Sequence, residues 1–596
     1  MSTTRTLVIS LVGAYGLLLS TSSAWAWQAN INSGWASSVV VDAGGNVIAA
    51  GSTNNGTGSA FTVIKYNGVT GTEIWRRVIA GTDPDRFDSA NAVTLDGSGN
   101  VVAAGVTNSG CVAGWDCEIV FGDFTVIKFS GADGTELWRQ VIGSASNSHG
   151  SATYNSANAV AVDRAGNVVA AGASSSGLGD FTVIKFNGTT GAELWRRVLT
   201  GSVAAGDCVD WARAVTVDGE ANVVASGFLC NAPPFQSVPT VIKFNGVTGQ
   251  ELWRQSIAGV SVVAIDSQGH VVAAGSIPDR ATFTSAFSTI KFNGATGQEL
   301  WRQVINGTAN TAGSSNFASV VASDAQGNVV AAGSTTNNGT GRDFTVVKFD
   351  GATGAEVWRQ VINDADNANI FPWTTARALA IDFQGNVVAA GSTTNNGTGS
   401  AFTAIKFDGV TGTELWHQVI EDTGTGNAAA SANAVAVDAR GKVVAAGSIS
   451  NNFTVVKFGK SPTTVDFDGD GQSDIGVYRD GTWYILRSSD GGGMGITWGG
   501  VLQDIPVPGD FDGDGKTDQA VYRDGVWFIL RSSDGGGMGI TWGGALQDIP
   551  VPGDFDGDGK TDQAVYRDGV WFILRSSDGD RRGITWGGPP QDIPLK

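Results

Sequence analysis

Residues 159–199 read AVAVDRAGNVVAAGASSSGLGDFTVIKFNGTTGAELWRRVL, four short apolar runs separated by loops and tight turns. Similar units recur along the chain, and short strands repeated at a fixed period are the signature of β-propeller blades. The runs are apolar on both faces, as expected for sheets packed between other sheets. The sequence therefore predicts an all-β fold. The Asp that ends the first run marks eight copies: Asp42, Asp96, Asp163, Asp218, Asp266, Asp324, Asp382 and Asp438.

The two ends of this repeat region indicate how the ring closes. The eighth unit stops after FTVVKF at Phe458 and has no ELWRQVI run. Residues 27–31, WQANI, align with the WRQVI of the other copies. We therefore expect residues 27–460 to form an eight-bladed β-propeller in which the N-terminal strand completes the last blade. Such closure removes exposed sheet edges.

The segments NGTTGAELW (residues 187–195) and NGATGQELW (residues 293–301) resemble the tryptophan-docking motif of pyrroloquinoline quinone-type propellers. In that family the Trp of one blade packs against the TG turn of its neighbour. The VDxxGNVVAAG half resembles bacterial SBBP-type β-propeller repeats. The resemblance implies a fold and not an activity. The matching tryptophans are Trp27, Trp75, Trp138, Trp195, Trp253, Trp301, Trp358 and Trp416.

The resemblance raises the question of quinone-dependent catalysis. Quinoprotein dehydrogenases of this type usually carry adjacent cysteines over the cofactor and a calcium-binding constellation in the central funnel. This chain has no Cys-Cys pair and no Cys-x-x-Cys-His sequence. The Asp of VDxxGN is expected to be a turn former. We therefore predict that the protein is not an enzyme. A quinone-dependent oxidoreductase or a polysaccharide-active enzyme is the alternative.

Loop lengths predict where a partner binds. The VDxxGN and NGxTGxE turns keep nearly constant length, whereas the loops after NVVAAGS and between blades vary. In four-stranded antiparallel blades the two variable loop types emerge on one face, called here the variable face. Binding residues concentrate on variable loops over a rigid scaffold, so this face is predicted to bind a protein or glycan. The alternative is that the loops only tolerate insertions. Exposed aromatic residues are expected at Trp115, Phe121, Trp211, Phe235 and Trp373.

A second repeat follows a linker at Ser461-Pro462, and its first motif, DFDGDGQSD at residues 466–474, returns as DFDGDGKTD at 510–518 and 554–562. Carboxylates at loop positions 1, 3, 5 and 9 repel one another unless a hard cation lies between them, and calcium prefers such oxygen ligands. Position 12 is Val rather than the Glu of an EF-hand. The alternative is a solvated acidic turn. The predicted calcium ligands are Asp466, Asp468, Asp470, Asp474, Asp510, Asp512, Asp514, Asp518, Asp554, Asp556, Asp558 and Asp562.

The three units within residues 461–596 resemble the FG-GAP and VCBS-type repeats of bacterial surface proteins. The Phe-Gly and Gly-Ala-Pro sequences of integrin-like repeats are missing, so an integrin-like ligand mode is not implied. A final QDIPL segment can pair back near residues 463–465, which favours a closed three-fold arrangement over an open arc. The recurrent Trp498, Trp542 and Trp586 are expected to be packing residues, with sugar binding as the alternative.

Residues 1–26 have the features of a secretory signal peptide. They contain Arg5, an apolar run at residues 7–19 that is too short to cross a bilayer, and an Ala24-Trp25-Ala26 cleavage site. No other segment approaches that length, so we predict no membrane span. The net charge of −19 argues against nucleic acid as a partner. We expect a bacterial protein secreted to the periplasm, the cell surface or the medium.

Four cysteines, Cys111, Cys117, Cys208 and Cys230, are an even count in an oxidising compartment and allow three disulfide pairings. We expect Cys111–Cys117 and Cys208–Cys230, because each pair then stays within one blade. Taken together, the sequence predicts a secreted or cell-surface, calcium-binding propeller protein that acts as a non-enzymatic binding or adhesion module.

Overall fold

The computed structural model describes residues 25–585 apart from 55, 57, 81–86, 112–119, 144–154, 175–178, 202–209, 232–235, 280, 310–313, 363–373, 396–398, 422–429, 439–440, 459–464, 470–472, 501–502, 545–547 and 557. Its regular elements are all strands, which confirms the all-β prediction. The chain divides into two compact units, Trp25–Gly459 and a second that includes Lys460–Lys596. We call them the propeller and the repeat module. The described residues contain no helix of the length and apolar character that crossing a membrane requires.

The propeller consists of four-stranded antiparallel sheets, or blades, seven of which are built from four consecutive strands. In chain order they are β2 (Gly34–Val41), β3 (Val47–Asn54), β4 (Ser59–Tyr66) and β5 (Glu73–Ile79); β6 (Ser89–Leu95), β7 (Val101–Cys111), β8 (Val120–Phe129) and β9 (Glu136–Ile142); β10 (Ser156–Val162), β11 (Val168–Ala173), β12 (Phe181–Phe186) and β13 (Glu193–Leu199); β14 (Trp211–Val217), β15 (Val223–Asn231), β16 (Gln236–Phe244) and β17 (Glu251–Ser256); β18 (Val262–Ile265), β19 (Val271–Asp279), β20 (Thr284–Phe292) and β21 (Glu299–Ile305); β22 (Phe317–Ser323), β23 (Val329–Asn337), β24 (Gly341–Phe349) and β25 (Glu356–Ile362); and β26 (Thr375–Ile381), β27 (Val387–Asn395), β28 (Gly399–Phe407) and β29 (Glu414–Ile420).

The eighth blade joins the two ends of the propeller. It contains β30 (Ser431–Val437), β31 (Val443–Ile449) and β32 (Asn452–Phe458), with β1 (Trp25–Ile31) as its fourth strand. β1 runs antiparallel to β32, and Gln28 lies opposite Val456. The N-terminal strand therefore closes the ring in the place that the sequence alignment predicts.

The first strand of each blade is innermost, because it contacts the first strands of the neighbouring blades around the ring. The second and third strands lie between sheets and are buried along most of their length; β11 and β12 are buried at every residue. Valine, isoleucine and phenylalanine fill both faces of these strands, which explains their uninterrupted apolar sequence. The core is thus a series of clusters between blades.

Tryptophan docking connects neighbouring blades. The Trp195 side chain is 7% exposed, and its Nε1 donates a hydrogen bond to the Gly246 carbonyl of the next blade at 3.1 Å. Its ring lies against Gly249, where φ is 68° and an added Cβ would lie 2.7 Å from the indole. Glycine is needed there for both reasons. The same Trp-to-Gly bond is made by Trp27, Trp75, Trp138, Trp253, Trp301 and Trp358.

A buried ion pair uses the same carbonyl. Lys185 Nζ lies 2.8 Å from the Asp163 carboxylate and also donates to the Gly246 carbonyl at 2.8 Å. Burial by itself raises the pKa of Asp163, but hydrogen bonds from Lys185 and Asn167 outweigh it, and the pKa is lowered. The Asp of VDxxGN is therefore more than a turn former. The pKa is lowered in the same way at Asp42, Asp96, Asp218, Asp266, Asp324 and Asp382.

One blade junction departs from this pattern. Trp416 of the seventh blade packs at a tilt against Phe458 of the eighth, with ring centroids 5.5 Å apart, but remains half-buried. No NGxTGxE sequence follows Phe458 to supply the docking turn. The junction where the chain enters and leaves the ring therefore has weaker packing than the seven others.

The repeat module contains three small sheets. Their strands are β33 (Ile475–Arg479), β34 (Thr482–Leu486) and β35 (Gly493–Thr497); β36 (Ile505–Pro506), β37 (Gln519–Arg523), β38 (Val526–Leu530) and β39 (Gly537–Thr541); and β40 (Ile549–Pro550), β41 (Gln563–Arg567), β42 (Val570–Leu574) and β43 (Arg581–Thr585).

Successive sheets of the repeat module pack against one another. Apolar clusters join the first sheet to the second and the second to the third. Val521 and Val565 are 0% and 1% exposed at these junctions, whereas the equivalent Val477 of the first sheet is 59% exposed. The two described QDIP strands, β36 and β40, each join the sheet of the following repeat. The final QDIPL segment lies outside the described residues, so the closed three-fold arrangement stays a prediction.

We expect Trp195→Ala to destabilise the propeller by about 3–5 kcal/mol, the usual cost of truncating a buried Trp. Trp416→Ala should destabilise the propeller by at least about 1 kcal/mol less than Trp195→Ala does, because the Trp416 ring is only half-buried. Denaturant unfolding monitored by tryptophan fluorescence measures both values. Equal losses would contradict the weaker packing assigned to the junction at Trp416.

The propeller should lose stability in acid. The pKa of Asp163 and its six counterparts is lower in the folded chain than the ordinary value of about 4, so their stabilisation is complete above pH 4. It is lost as the pH falls from about 4 through the folded pKa values. Asp163→Asn should lower the thermal midpoint at pH 7 and reduce its acid dependence. The exposed Glu421→Gln is the control and should follow the parent curve.

Candidate functional site

The acidic loops bring their carboxylates together as the spacing predicts. Oxygens of Asp510, Asp512 and Asp514 lie within 4.8 Å of one another. Asp554, Asp556 and Asp558 form the same cluster in the third loop. In the first loop the cluster consists of Asp466, Asp468 and Asp474, while Asp470 lies outside the described residues. An all-oxygen donor set of this kind suits a hard divalent cation such as calcium.

The Asp at loop position 9 holds the loop in shape. Asp518 Oδ2 accepts hydrogen bonds from the backbone amides of Phe511 (2.8 Å) and Asp512 (3.2 Å). Its Oδ1 accepts from the amide of Ser532 at 2.6 Å. Asp562 accepts equivalent bonds from Phe555 and Ser576. These carboxylates therefore brace the loop. Asp474 of the first loop makes the same bonds and also belongs to the three-carboxylate cluster there.

Sequence reasoning missed two serines beside each cluster. Ser532 Oγ donates to Asp514 at 2.9 Å, and Ser533 Oγ donates to Asp512 at 2.6 Å. Ser576 and Ser577 make the same contacts in the third repeat. The signal was available, since an LRSSD sequence follows every acidic loop at a fixed distance. These hydroxyls orient the carboxylates that a cation would contact.

Charge and burial make the cluster costly without a cation. Burial raises the pKa of Asp510 to about 6, and the nearby Asp514 and Asp518 carboxylates add to that shift, while amides of Gly513 and Gly515 oppose it. Burial also raises the pKa of Asp518 and Asp562. Grouped carboxylates with raised pKa values are the arrangement that a divalent cation stabilises. The residues present therefore fit calcium.

Four described aromatic residues bear on the variable face. Phe283, between β19 and β20, is 81% exposed and has φ of 55°. Trp35 and Phe87 are also exposed near strand ends on this face. Trp211, which was predicted to be exposed, is half-buried because it stacks on Phe228 at 5.6 Å. The side chains of Trp115, Phe121, Phe235 and Trp373 lie outside the described residues.

The opposite rim is uniform. In its VDxxGN turn, Asp163 Oδ1 accepts hydrogen bonds from the amides of Ala165 and Asn167 at 2.9 and 2.8 Å. In its NGxTGxE turn, Asn187 Oδ1 accepts from the amides of Thr189 and Thr190. Side-chain oxygens that cap their own turn fix its conformation and its length. The scaffold below the variable face is therefore rigid.

The innermost strands bear on the quinone alternative. Their sequences contain no acidic residue, and their only charged residues are Arg213 and Arg377, which are both exposed. The calcium-ligating carboxylates expected beside a quinone are therefore not supplied by these strands.

The cysteines are described only in part. Cys230 is buried at the end of β15 and is disulfide-bonded. The side chains of Cys111, Cys117 and Cys208 lie outside the described residues, so the pairing of Cys208 with Cys230 and of Cys111 with Cys117 stays a prediction.

Chelation of calcium should lower the thermal stability of the repeat module and leave that of the propeller unchanged. With calcium in hundredfold excess over Kd, each site adds about 2.7 kcal/mol to the stability of the module. Calorimetry should therefore show two transitions, of which EDTA lowers only that of the repeat module. Asp512→Asn should lower the same transition in part. The matched control is Asp524→Asn, in a hairpin turn of the same repeat where φ is 48° and Asn is equally tolerated. If EDTA changes neither transition temperature, the acidic loops are solvated turns.

Comparison with known proteins agrees with the observed fold. Residues 179–460 match the family model described as outer membrane protein assembly factor BamB. Similar solved structures include BamB from Moraxella catarrhalis (13% identity, TM-score 0.38, covering 73% of this chain and 99% of that chain). A europium-containing methanol dehydrogenase has 11% identity and a TM-score of 0.41, covering 71% and 84%.

Sqt1 from Chaetomium thermophilum has 10% identity and a TM-score of 0.45, covering 73% of this chain and 98% of its own. At these values the structural matches carry no argument about function. No curated protein matches the chain. The model match covers part of the N-terminal unit, and the docking tryptophans make that unit similar to β-propellers of the pyrroloquinoline quinone type.

Proposed function

We propose that this protein is a non-enzymatic, exported bacterial binding protein. Its propeller presents the variable face to a protein or glycan, and calcium stabilises the repeat module. The observation that carries the proposal is Phe283, a bulky residue in the left-handed region whose side chain is 81% exposed on that face. Backbone strain of this kind costs about 1–3 kcal/mol and clusters at functional sites.

Local contacts support the unusual conformation of Phe283. Asp279 Oδ1 accepts a hydrogen bond from the Ala281 amide at 2.9 Å, and the hydroxyls of Thr282 and Thr284 lie 2.7 Å apart on either side of Phe283. The hairpin thus holds an aromatic ring in solvent on a rigid blade. Aromatic side chains are enriched among the residues that dominate binding energy at protein interfaces. We infer that Phe283 is an anchor for the partner.

The proposed compartment rests on two observations. The N-terminal sequence has the features of a secretory signal. The matching family model describes an outer membrane protein assembly factor. Both support export to the periplasm or the cell surface, where millimolar calcium and an oxidising environment suit the acidic loops and the disulfides.

Phe283→Ser should weaken partner binding without changing stability. Phe383→Ser is the matched control, since Phe383 is 67% exposed in a VDxxGN turn on the opposite rim. Glycan arrays and cross-linking to the native cell envelope, read by mass spectrometry, measure binding. We expect at least tenfold loss for Phe283→Ser and none for Phe383→Ser. Equal effects of the two variants would contradict the assignment of the variable face as the binding surface.

The enzymatic alternative has its own test. The purified protein is mixed with pyrroloquinoline quinone and calcium, and dye reduction is followed with a panel of alcohols. We expect no activity above a protein-free control. Turnover that depends on both additions would replace the binding proposal with a quinone-dependent oxidoreductase.

A further inference from the structure

A polar residue interrupts the innermost strand at the same point in seven of the eight blades. In the fourth blade, Ala212 and Ala214 pair with consecutive residues of β15, so Arg213 between them is the extra residue of a β-bulge. A bulge takes its residue out of the regular ladder and re-aims the side chain. The bulge residues are Ser37, Asn91, Asn158, Arg213, Ser319, Arg377 and Asn433.

Two of the asparagines show where the bulge side chain lies. Asn158 Nδ2 donates a hydrogen bond to the Ala212 carbonyl, on the innermost strand of the next blade, at 2.9 Å. Asn433 makes the same bond to the Ala36 carbonyl at 2.9 Å. The innermost strands contact one another in a closed ring and so enclose the central channel. The bulge residues therefore form a ring around that channel, close to the end of each strand from which the variable loops extend.

Arg213 and Arg377 differ from the other members of the ring. Both are exposed, whereas the serines and asparagines at the same register are half-buried. An innermost strand is bordered by its own blade and by both neighbouring blades. The solvent that reaches the two arginines is therefore that of the channel and its mouth. The other five blades show that the scaffold needs only a small polar residue at this position, so the two arginines add a charge that the fold does not require.

The two charges lie together in a channel wall without acidic residues. They are in the fourth and seventh blades, three blades apart around the ring. The sequences of the innermost strands contain no Asp or Glu. At the opposite rim, the carboxylate of Asp163 is neutralised by Lys185 at 2.8 Å. A planar guanidinium binds a carboxylate through two parallel hydrogen bonds, so the mouth of the channel suits carboxylates.

The charge of the whole chain and the composition of the wall restrict the ligand further. A net charge of −19 repels a polymer that carries many negative charges, which favours a ligand with only a few carboxylates. Past the ring of bulge residues, β14 continues as AVTV and β26 as ALAI. Sugar hydroxyls that enter such a wall lose hydrogen bonds to water without replacement, whereas apolar side chains gain from burial.

We propose that the mouth of the central channel binds an acidic peptide segment of a partner protein, and that Arg213 and Arg377 hold its carboxylates. This inference rests on the binding role proposed above for the variable face, and it names the class of partner. The arginines supply charge complementarity at the channel, whereas Phe283 supplies an apolar anchor on a hairpin of the same face.

An array of short random peptides, probed with the labelled full chain, tests the proposal. We expect the bound peptides to be enriched in Asp and Glu, and the best of them to bind at least tenfold more weakly after its acids are changed to amides. The double variant Arg213→Asn/Arg377→Asn places in both blades the residue that other blades carry there, and it should also weaken binding at least tenfold. The control Arg164→Asn/Arg582→Asn removes the same charge at two exposed sites elsewhere and should bind like the parent.

Arg213→Lys/Arg377→Lys keeps the charge and should retain binding that weakens with added salt. An unchanged thermal midpoint is expected for Arg213→Asn/Arg377→Asn. A marked loss of thermal stability would show that the arginines hold carboxylates of their own chain, and would overturn the proposal. Binding of an acidic oligosaccharide, and of no peptide, through both arginines would overturn it as well. If Phe283→Ser loses the cell-envelope partner and the arginine variant keeps it, this inference fails and the proposed function stands; if both variants keep it, both fail.

Discussion

A backbone carbonyl shared by two donors joins neighbouring blades of this propeller. The Gly246 carbonyl accepts from Trp195 Nε1 and from Lys185 Nζ, and Lys185 is neutralised by Asp163 within its own blade. A buried ammonium is tolerated only where charge and hydrogen bonds compensate for lost water. The Asp, the Lys, the Gly and the Trp of the repeat are therefore one interaction. Loss of the Asp leaves the buried ammonium of the Lys without a compensating charge, and loss of the Lys leaves the Asp carboxylate without its charged partner.

The sequence was sufficient to predict most of the propeller, and the reason is physical. Four apolar runs per repeat, the Trp–Gly turn and the WQANI segment each specify a local contact, and repetition places those contacts around a ring. The Lys185 ion pair was not foreseen, because turn formation by Asp163 already explained why this Asp recurs in every repeat. A lysine that recurs within every FTVIKF run was the available signal, since a charge in a buried strand requires a partner.

The repeat module was harder to predict. The spacing of the Asp residues was enough to bring three carboxylates of each loop together, as at Asp510, Asp512 and Asp514. It did not reveal that the Asp at position 9 also braces the loop, because that role depends on the backbone amides that Asp518 meets in the folded chain. The arrangement of the sheets depended on the direction in which the QDIP strand travels. A sequence motif of four residues contains no information about that direction.

The closure of the ring also determines the order in which the propeller can fold. The Ser33 amide bonds to the Asn452 side chain, 419 positions away, and Lys457 bonds to the Gly68 carbonyl. Loop-closure entropy grows only with the logarithm of loop length, so this separation costs little at equilibrium. These contacts are slow to form, because contacts between residues distant in sequence delay folding. During synthesis, the first strand emerges hundreds of residues before its partner and must remain unpaired, and the eighth blade is the last to form.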